Sequence, residues 1–268
     1  MEQPTRIAIP QRLAFKQNPT FAELWEAATR QMHKPRIQTL ELMRLLRING
    51  LKKETCIIAD VAAGSGINAI PLRKNGFWVE CFDISDDQIK LFRKNARLTG
   101  VSNLITKSSW LELPKYVHTC YDLILCRGNS FIYAPGGWNS DKYDKDRALQ
   151  IYLKTLETFY DLLAEDGILY IDKFPDNEQD HKVKVAEVVI GGKTSELFFF
   201  TKLEWGKKER YGSMVLRDSD GKETGAPNKT YALSAKEFKA LAREAGFTKI
   251  DEPKLWSETI FDVFLLKK

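Results

Sequence analysis

Two glycines, Gly64 and Gly66, sit in the stretch ADVAAGSGINAI, after an apolar run closed by Asp60 and before residues able to start a helix. A strand that ends in such a loop brings its backbone close to a ligand, because glycine accepts angles and approaches that a side chain forbids. The next apolar run, VECFD, closes on Asp83. A carboxylate at that place can accept hydrogen bonds from both hydroxyls of a ribose. Asp60, four residues ahead of the first glycine, sits poorly beside a pyrophosphate and well beside an ammonium group. The loop, with its G-x-G-x-x-A spacing, thus has two rival ligands: a nicotinamide dinucleotide and an adenosyl compound with a cationic end.

Two later stretches bear on the choice. SSWLEL, Ser108 to Leu113, offers Trp110 as a flat surface for an adenine ring, although a plain core tryptophan fits the residue equally well. LCRGNSF, Leu125 to Phe131, places a Gly-Asn-Ser turn after a strand, where open α/β sheets bind their ligands. The three histidines, His33, His118 and His181, fall in loop-like positions and form no ligand cluster. Among the four cysteines, Cys56, Cys81, Cys120 and Cys126, there is no C-x-x-C pair, so no metal is expected.

The elements that must hold these residues alternate. CIIADV, FWVECFD, NLITK, YDLILC and GILYIDKF read as strands. Between them NAIPLRKNG, Asp86 to Leu98 and Tyr143 to Ala164 read as helices, the last being the longest. Ahead of them, Thr20 can cap a helix carrying Phe21, Leu24, Trp25 and Ala28, and Ile37 to Ile48 forms a second. The first twenty residues show no period. From Lys182 to Leu233 the pattern changes to VKVAEVVI, SELFFFTKLEW, RYGSMVLRD and NKTYAL, separated by turns: antiparallel strands, added to the main sheet or packed over one end of it. Ser234 and Glu237 then form a capping box, and the chain closes with FTKI and TIFDVFLLKK. The expectation is one α/β domain over residues 1–268, with a helical lid in 1–50 and an antiparallel β insertion in 181–233.

A chain of 268 residues with 43% hydrophobic and 29% charged residues can bury a generous core. Its formal charge of +5 permits an anionic partner without requiring one. The absence of a long apolar run, and of the apolar stretch of a secretory signal in MEQPTRIAIPQRL, points to a cytoplasmic protein with reduced thiols and no membrane partner.

In order and spacing, IIADVAAGSGINAI, VECFDIS, SSWLEL and YDLILCRGNSF resemble the class I S-adenosylmethionine-dependent methyltransferases, and within them the glycine and glycine/sarcosine N-methyltransferases. The likeness runs from about Arg36 to the carboxyl terminus. It implies a Rossmann-like seven-stranded sheet with an inserted antiparallel β region. S-adenosyl-L-methionine is the implied cofactor, S-adenosyl-L-homocysteine the product and a small-molecule acceptor the partner. By resemblance, Asp60, Ala62, Gly64 and Gly66 surround the methionine moiety and Arg36 pairs with its carboxylate. Asp83 holds the ribose, Ile84, Ser109 and Trp110 meet the adenine, and Arg127 contacts the cofactor or faces an anionic substrate. Asn129 and Ser130 are the residues placed at the acceptor, as the catalytic pair.

One departure concerns the acceptor. Where the glycine enzymes carry an arginine after the fifth strand, this chain reads Ile171-Asp172-Lys173-Phe174. A phenylalanine cannot clamp a carboxylate, which leaves glycine, another small amine, or a larger amino compound met by Arg127 or Lys173. The aromatic turn FIYAPGGW, Phe131 to Trp138, can line that pocket. An RNA or other macromolecule methyltransferase is the alternative enzyme, and a non-catalytic cofactor-binding module the third reading. Against nucleic acid, the lysines of the β region alternate with Glu187, Glu196, Glu204 and Glu209. The amino-terminal helix is open to two readings, a lid or a contact between copies in a homo-oligomer.

Overall fold

The computed structural model describes residues 11–15, 19–32, 35–136, 143–177, 180–225, 227–255 and 260–268. The first ten residues, His33, and Gly137 and Trp138 of the aromatic turn lie outside the described residues.

In chain order the elements are β1 (Gln11–Phe15), α1 (Phe21–Met32), α2 (Pro35–Ile48), β2 (Ile57–Asp60), α3 (Ala69–Lys74), β3 (Trp78–Asp83), α4 (Asp86–Thr99) and β4 (Thr106–Lys107). Next come β5 (Tyr121–Cys126), α5 (Ala148–Leu162) and β6 (Leu163–Lys173). They are followed by β7 (His181–Ile190), β8 (Lys193–Glu204), β9 (Glu209–Arg217), β10 (Glu223–Thr224) and β11 (Asn228–Tyr231). The last three are α6 (Ala235–Glu244), β12 (Lys249–Asp251) and β13 (Asp262–Lys267).

Seven strands form one sheet in the order β12-β13-β6-β5-β2-β3-β4. The five from β6 to β4 run parallel, and β13 and β12 are added antiparallel. The chain leaves β2 toward β3 and β4, then returns to β5 on the other side. That reversal opens a crevice at the carboxyl ends of β2 and β5. Alternation along each strand feeds two cores. Ile124, Leu169, Ile171 and Phe264 meet Tyr152, Leu156 and Phe159 of α5 and Phe238 of α6. Ile58, Val79, Leu123 and Leu125 meet Leu42 and Leu46 of α2, Leu72 of α3, and Ile89 and Phe92 of α4.

The helix starts follow local chemistry. Thr20 Oγ1 accepts the Glu23 N–H at 3.2 Å while Glu23 Oε2 accepts the Thr20 N–H at 2.9 Å, which satisfies two orphan donors of α1. Ser85 caps α4 through the Gln88 N–H, and Ser234 with Glu237 forms the capping box of α6. Helix α5 begins at Ala148, not Tyr143, and stops at Leu162. Asp166 takes a left-handed backbone, φ 62°, and the pairing of β6 with β5 shifts register between Tyr121 and Leu123, so Leu163 already pairs with Tyr121.

The remaining strands make a separate sheet, β1-β7-β8-β9-β10, with β11 also paired to β9. β1 enters it parallel to β7. The sequence showed no period there because the strand is short, and only Leu13 and Phe15 pack on the cluster that α1 shares with this sheet. That cluster joins Leu24 and Ala28 of α1 to Val185, Val188, Leu197, Phe199 and Met214. Cys56, Cys81 and Cys126 are buried free thiols, and Cys120 is exposed. Among the described residues no helix is long and apolar enough to cross a membrane.

Gly66 has φ 91°, and a Cβ built there would stand 2.4 Å from Ile70 Cδ1 and 3.0 Å from Phe92 Cδ2. Substitution Gly66→Ala is expected to cost about 1–3 kcal/mol through the left-handed backbone and overpacking, read as a lower midpoint at unchanged slope in urea unfolding.

Candidate active site

Two adjoining cavities, both open to solvent, lie at the carboxyl ends of the parallel strands. Ala62, Asp83 and Ser130 border both. The first cavity is polar: Gly64, Ser65 and Asn68 come from the loop after β2, Arg127 and Gly128 from the turn after β5, and Asp172 from the end of β6. Trp25 and Thr29 of α1, Gln38 of α2 and Phe261 close it from the other side. The second is more apolar, with Ile84, Ser109, Trp110, Leu111, Tyr133 and Ala134 around Val61 and Ala62.

Backbone hydrogen bonds tie the loops of three neighbouring strands together. The Gly64 N–H donates to Asp83 Oδ2 at 2.8 Å and the Ser85 N–H to Oδ1 at 2.8 Å. The Ala63 N–H donates to the Phe82 carbonyl and the Ser108 N–H to the Asp83 carbonyl, both at 3.0 Å. Asp83 is thereby fixed at the seam between the cavities, with lone pairs left for a vicinal diol. Burial raises its pKa, opposed by the Ser85, Gly64 and Ile84 amides.

Asp60 is fully buried at the end of β2, directly ahead of the loop that borders the cavities. Neither carboxylate oxygen has a hydrogen-bond partner. Desolvation pushes its pKa up to about 7, with the Ala62 amide and the Arg127 guanidinium pulling it back. An unbonded carboxylate in this position favours a cation placed near it.

On the β5–β6 side, Arg127 and Asp172 form a buried pair, Nε to Oδ2 at 3.6 Å. Arg127 Nη1 also donates to Asn68 Oδ1 at 2.8 Å, and the guanidinium lies 5.0 Å from the Tyr170 ring centroid. Asp172 Oδ1 accepts the Asn129 N–H at 2.6 Å. Burial raises the Asp172 pKa, and Arg127 with the Asn129 and Gly128 amides lowers it again.

The residues singled out from sequence divide accordingly. Ala62, Gly64, Asp83, Ile84, Ser109, Trp110, Arg127 and Ser130 border one cavity or the other. Gly66 sits behind the loop against Ile70 and Phe92, and Asp60 is buried at the end of β2. Trp110 faces the second cavity but is also held in the core: its Nε1–H donates to the Val61 carbonyl at 2.6 Å, and its ring stacks on Phe131. Arg36 is not brought in. It is exposed on α2, and the position facing the cavity is Gln38, two residues on, which turns to the opposite side of the helix.

Asn129 also departs from its expected place. Its left-handed backbone, φ 57°, turns it away from Ser130, and its Oδ1 accepts the Phe174 N–H at 3.2 Å. It borders a separate cavity of about 270 Å³ together with Lys173, Phe174 and Arg210. Lys173 points the same way, donating to the Phe174 carbonyl at 2.6 Å and to Asp176 at 2.9 Å. Sequence reasoning missed Thr29, Gln38, Asn68, Gln88 and Phe261 as cavity residues. Asn68 stands within the loop motif and could have been found there. The others come from helices and the last strand region, where no local pattern marks them.

No family model matches the chain. In sequence it is 32% identical over 117 residues to the glycine/sarcosine/dimethylglycine N-methyltransferase of Actinopolyspora halophila, covering 43% of this chain and 19% of that protein. It is 27% identical over 154 residues to the glycine/sarcosine N-methyltransferase of Aphanothece halophytica, covering 57% and 52%. The chain thus spans about a fifth and about half of the curated relatives it matches. In structure it overlays the sugar N-methyltransferase KedS8 from Streptoalloteichus sp ATCC 53650 with a TM-score of 0.69 at 13% identity, over 95% of this chain and 96% of that one. The sheet order, the loops at its strand ends and these likenesses agree: the chain has the class I S-adenosylmethionine-dependent methyltransferase fold and is similar in sequence to the glycine N-methyltransferase group.

Proposed function

We propose that this protein transfers a methyl group from S-adenosylmethionine to a nitrogen of a small molecule. The observation that carries the reading is the pair of cavities meeting at Asp83 and Ser130, with the buried carboxylate of Asp60 at the end of the strand that leads into their shared loop. Bound there, the cofactor supplies a sulfonium methyl group open to in-line displacement. Asp83 would take the ribose hydroxyls and Ile84, Ser109, Trp110 and Leu111 the adenine. The methionine end would lie over Gly64 and Asn68, with Asp60 favouring its ammonium and the neutral Thr29 and Gln38 near its carboxylate. The chain need only align the acceptor and keep water out, since an amine can lose its proton to solvent before it binds. Helices α1 and α2 supply the water-excluding wall, in keeping with residues 1–50 as a lid on a single domain.

A macromolecular acceptor is disfavoured by the charge pattern of the second sheet. Lys184 pairs with Glu187 and Glu196, Lys182 and Arg217 with Glu223, and Lys202 and Lys207 with Glu204. These cations are answered within the sheet and form no basic stripe among the described residues. Three buried, unpaired thiols suit a reducing cytoplasmic setting.

Calorimetric titration with S-adenosylmethionine tests the cofactor reading. Below a carboxyl pKa of about 7 the ligand must displace a proton, so affinity is expected to fall about tenfold from pH 8 to pH 6. Absence of binding would overturn the reading. Release of S-adenosylhomocysteine with a panel of small amines then tests turnover.

Asp60→Asn separates stability from binding. With an unfolded pKa near the ordinary 3.8 and a native value of about 7, the native state holds the extra proton between these values. Wild-type stability therefore declines as pH rises from about 4 to 7, by up to about 4 kcal/mol. Asp60→Asn is expected to raise the thermal midpoint at pH 8, leave it nearly unchanged at pH 4, and weaken cofactor binding at least tenfold.

A further inference from the structure

The described residues bordering the first cavity bring one cation, Arg127, against Asp83 and Asp172, with Asp60 buried at the end of β2. Arg127 is spoken for by Asp172 and Asn68, and its guanidinium lies over Tyr170. Lys173 and Arg210, the other buried cations nearby, border the separate cavity behind Phe174 and not this one. With the cofactor over Asp83 and Asp60, a carboxylate beside the acceptor nitrogen would meet Asp172, whose neighbouring cation Arg127 is already engaged by that acid and Asn68. Repulsion of that kind selects against an anion as effectively as an attractive contact selects for a cation.

The wall that remains is aromatic. Phe174 stacks on Phe199 with centroids 6.0 Å apart and meets Phe261 edge-on at 4.8 Å. Phe199 in turn lies 6.3 Å from the ring of Trp25. Of this run, Trp25 and Phe261 border the first cavity, with Phe199 and Phe174 behind them. Opposite stands Asp172, 1% exposed, whose Oδ1 is taken by the Asn129 amide and whose Oδ2 has no hydrogen-bond partner beyond the ion-pair contact with Arg127 at 3.6 Å.

We propose that the methyl acceptor is an amine with no carboxylate beside its nitrogen, received through an N–H on Asp172 Oδ2 with its body against Trp25 and Phe261. This rests on the methyl-transfer reading and narrows it to a substrate class. The hydrogen bond to Oδ2 orients the amine so that its lone pair forms the new N–C bond while the C–S bond breaks. The departing electron pair stays on sulfur, which becomes a neutral thioether. The methylated ammonium is stabilised by the carboxylate and the aromatic faces until its proton passes to solvent. An amino acid of the same size is disfavoured because its carboxylate would lie beside Asp172, and Arg127, the one cation among the described residues bordering this cavity, is already engaged there.

The test compares 2-phenylethylamine with phenylalanine, and methylamine with glycine, by calorimetry on protein saturated with S-adenosylhomocysteine. S-adenosylhomocysteine release from S-adenosylmethionine is followed in parallel. Each amine is expected to bind at least tenfold tighter than its amino acid, and at least one to be turned over. Asp172→Asn is expected to weaken amine binding at least tenfold while S-adenosylhomocysteine affinity stays within threefold. Tighter or equal binding of the amino acids would overturn the proposal, and so would failure of both amines to bind or turn over on loaded protein. Amine binding unchanged in Asp172→Asn would also overturn it. Should Asp172→Asn not fold, the wild-type pairs decide alone. If S-adenosylhomocysteine itself fails to bind, the methyl-transfer reading falls and this proposal with it.

Discussion

Three carboxylates, Asp60, Asp83 and Asp172, are drawn out of water at the carboxyl ends of three strands that lie within one sheet, and one guanidinium, Arg127, stands among them. Such crowding is costly unless each charge is answered. Asp83 is answered by backbone amides from two loops, and Asp172 by Arg127 and the turn after β5. Asp60 is answered less fully: among the described residues its oxygens have no hydrogen-bond partner within bonding distance, and the Ala62 amide and Arg127 only partly offset its burial. The loops are shaped by this demand: Gly64 offers its amide from a left-handed backbone, φ 52°, and the Gly128-Asn129 turn is left-handed where its amide reaches Asp172.

Much of this was legible because it is local. The order of strands and helices, the glycine loop, Asp83 and the stretch around Trp110 each announce themselves within a dozen residues, since strand, turn and helix start are coded side by side. What failed to show depends on distance or on hand. Gln38 and Arg36 are neighbours in sequence but face opposite ways, and a turn of helix decides which reaches the cavity. Asn129 and Ser130 look like one functional pair, yet a single left-handed residue sends them to different cavities. The pairing of Arg127 with Asp172 and the arrival of Phe261 join segments far apart in the chain, and no spacing rule predicts them.

The departure at Phe174 gains meaning from its surroundings. Read alone, it is a missing arginine. In place it belongs to a file of rings running from Trp25 through Phe199 to Phe261, with the Arg210 guanidinium 4.4 Å from its centroid on the side of the other cavity. Phe174 thus contributes to an apolar wall, and the guanidinium packed on it belongs to the other cavity. The nearby Lys173 does not replace the missing arginine, because its ammonium is held by Asp176 and the Phe174 carbonyl.

The parallel pairing of β1 with β7 has a mechanical meaning. Helix α1 is bound to the second sheet by Leu24 and Trp25, and to the main domain by Glu26, whose carboxylate shares Asn95 with the Ser65 carbonyl of the glycine loop. The segment ahead of it is sewn along the sheet edge over five residues. The helix is thus a strap fastened at both ends, not a flap on one hinge. A helix tied to both sheets couples them: a shift of α1 would load the Leu24 and Trp25 contacts on one side and the Glu26–Asn95 hydrogen bond on the other.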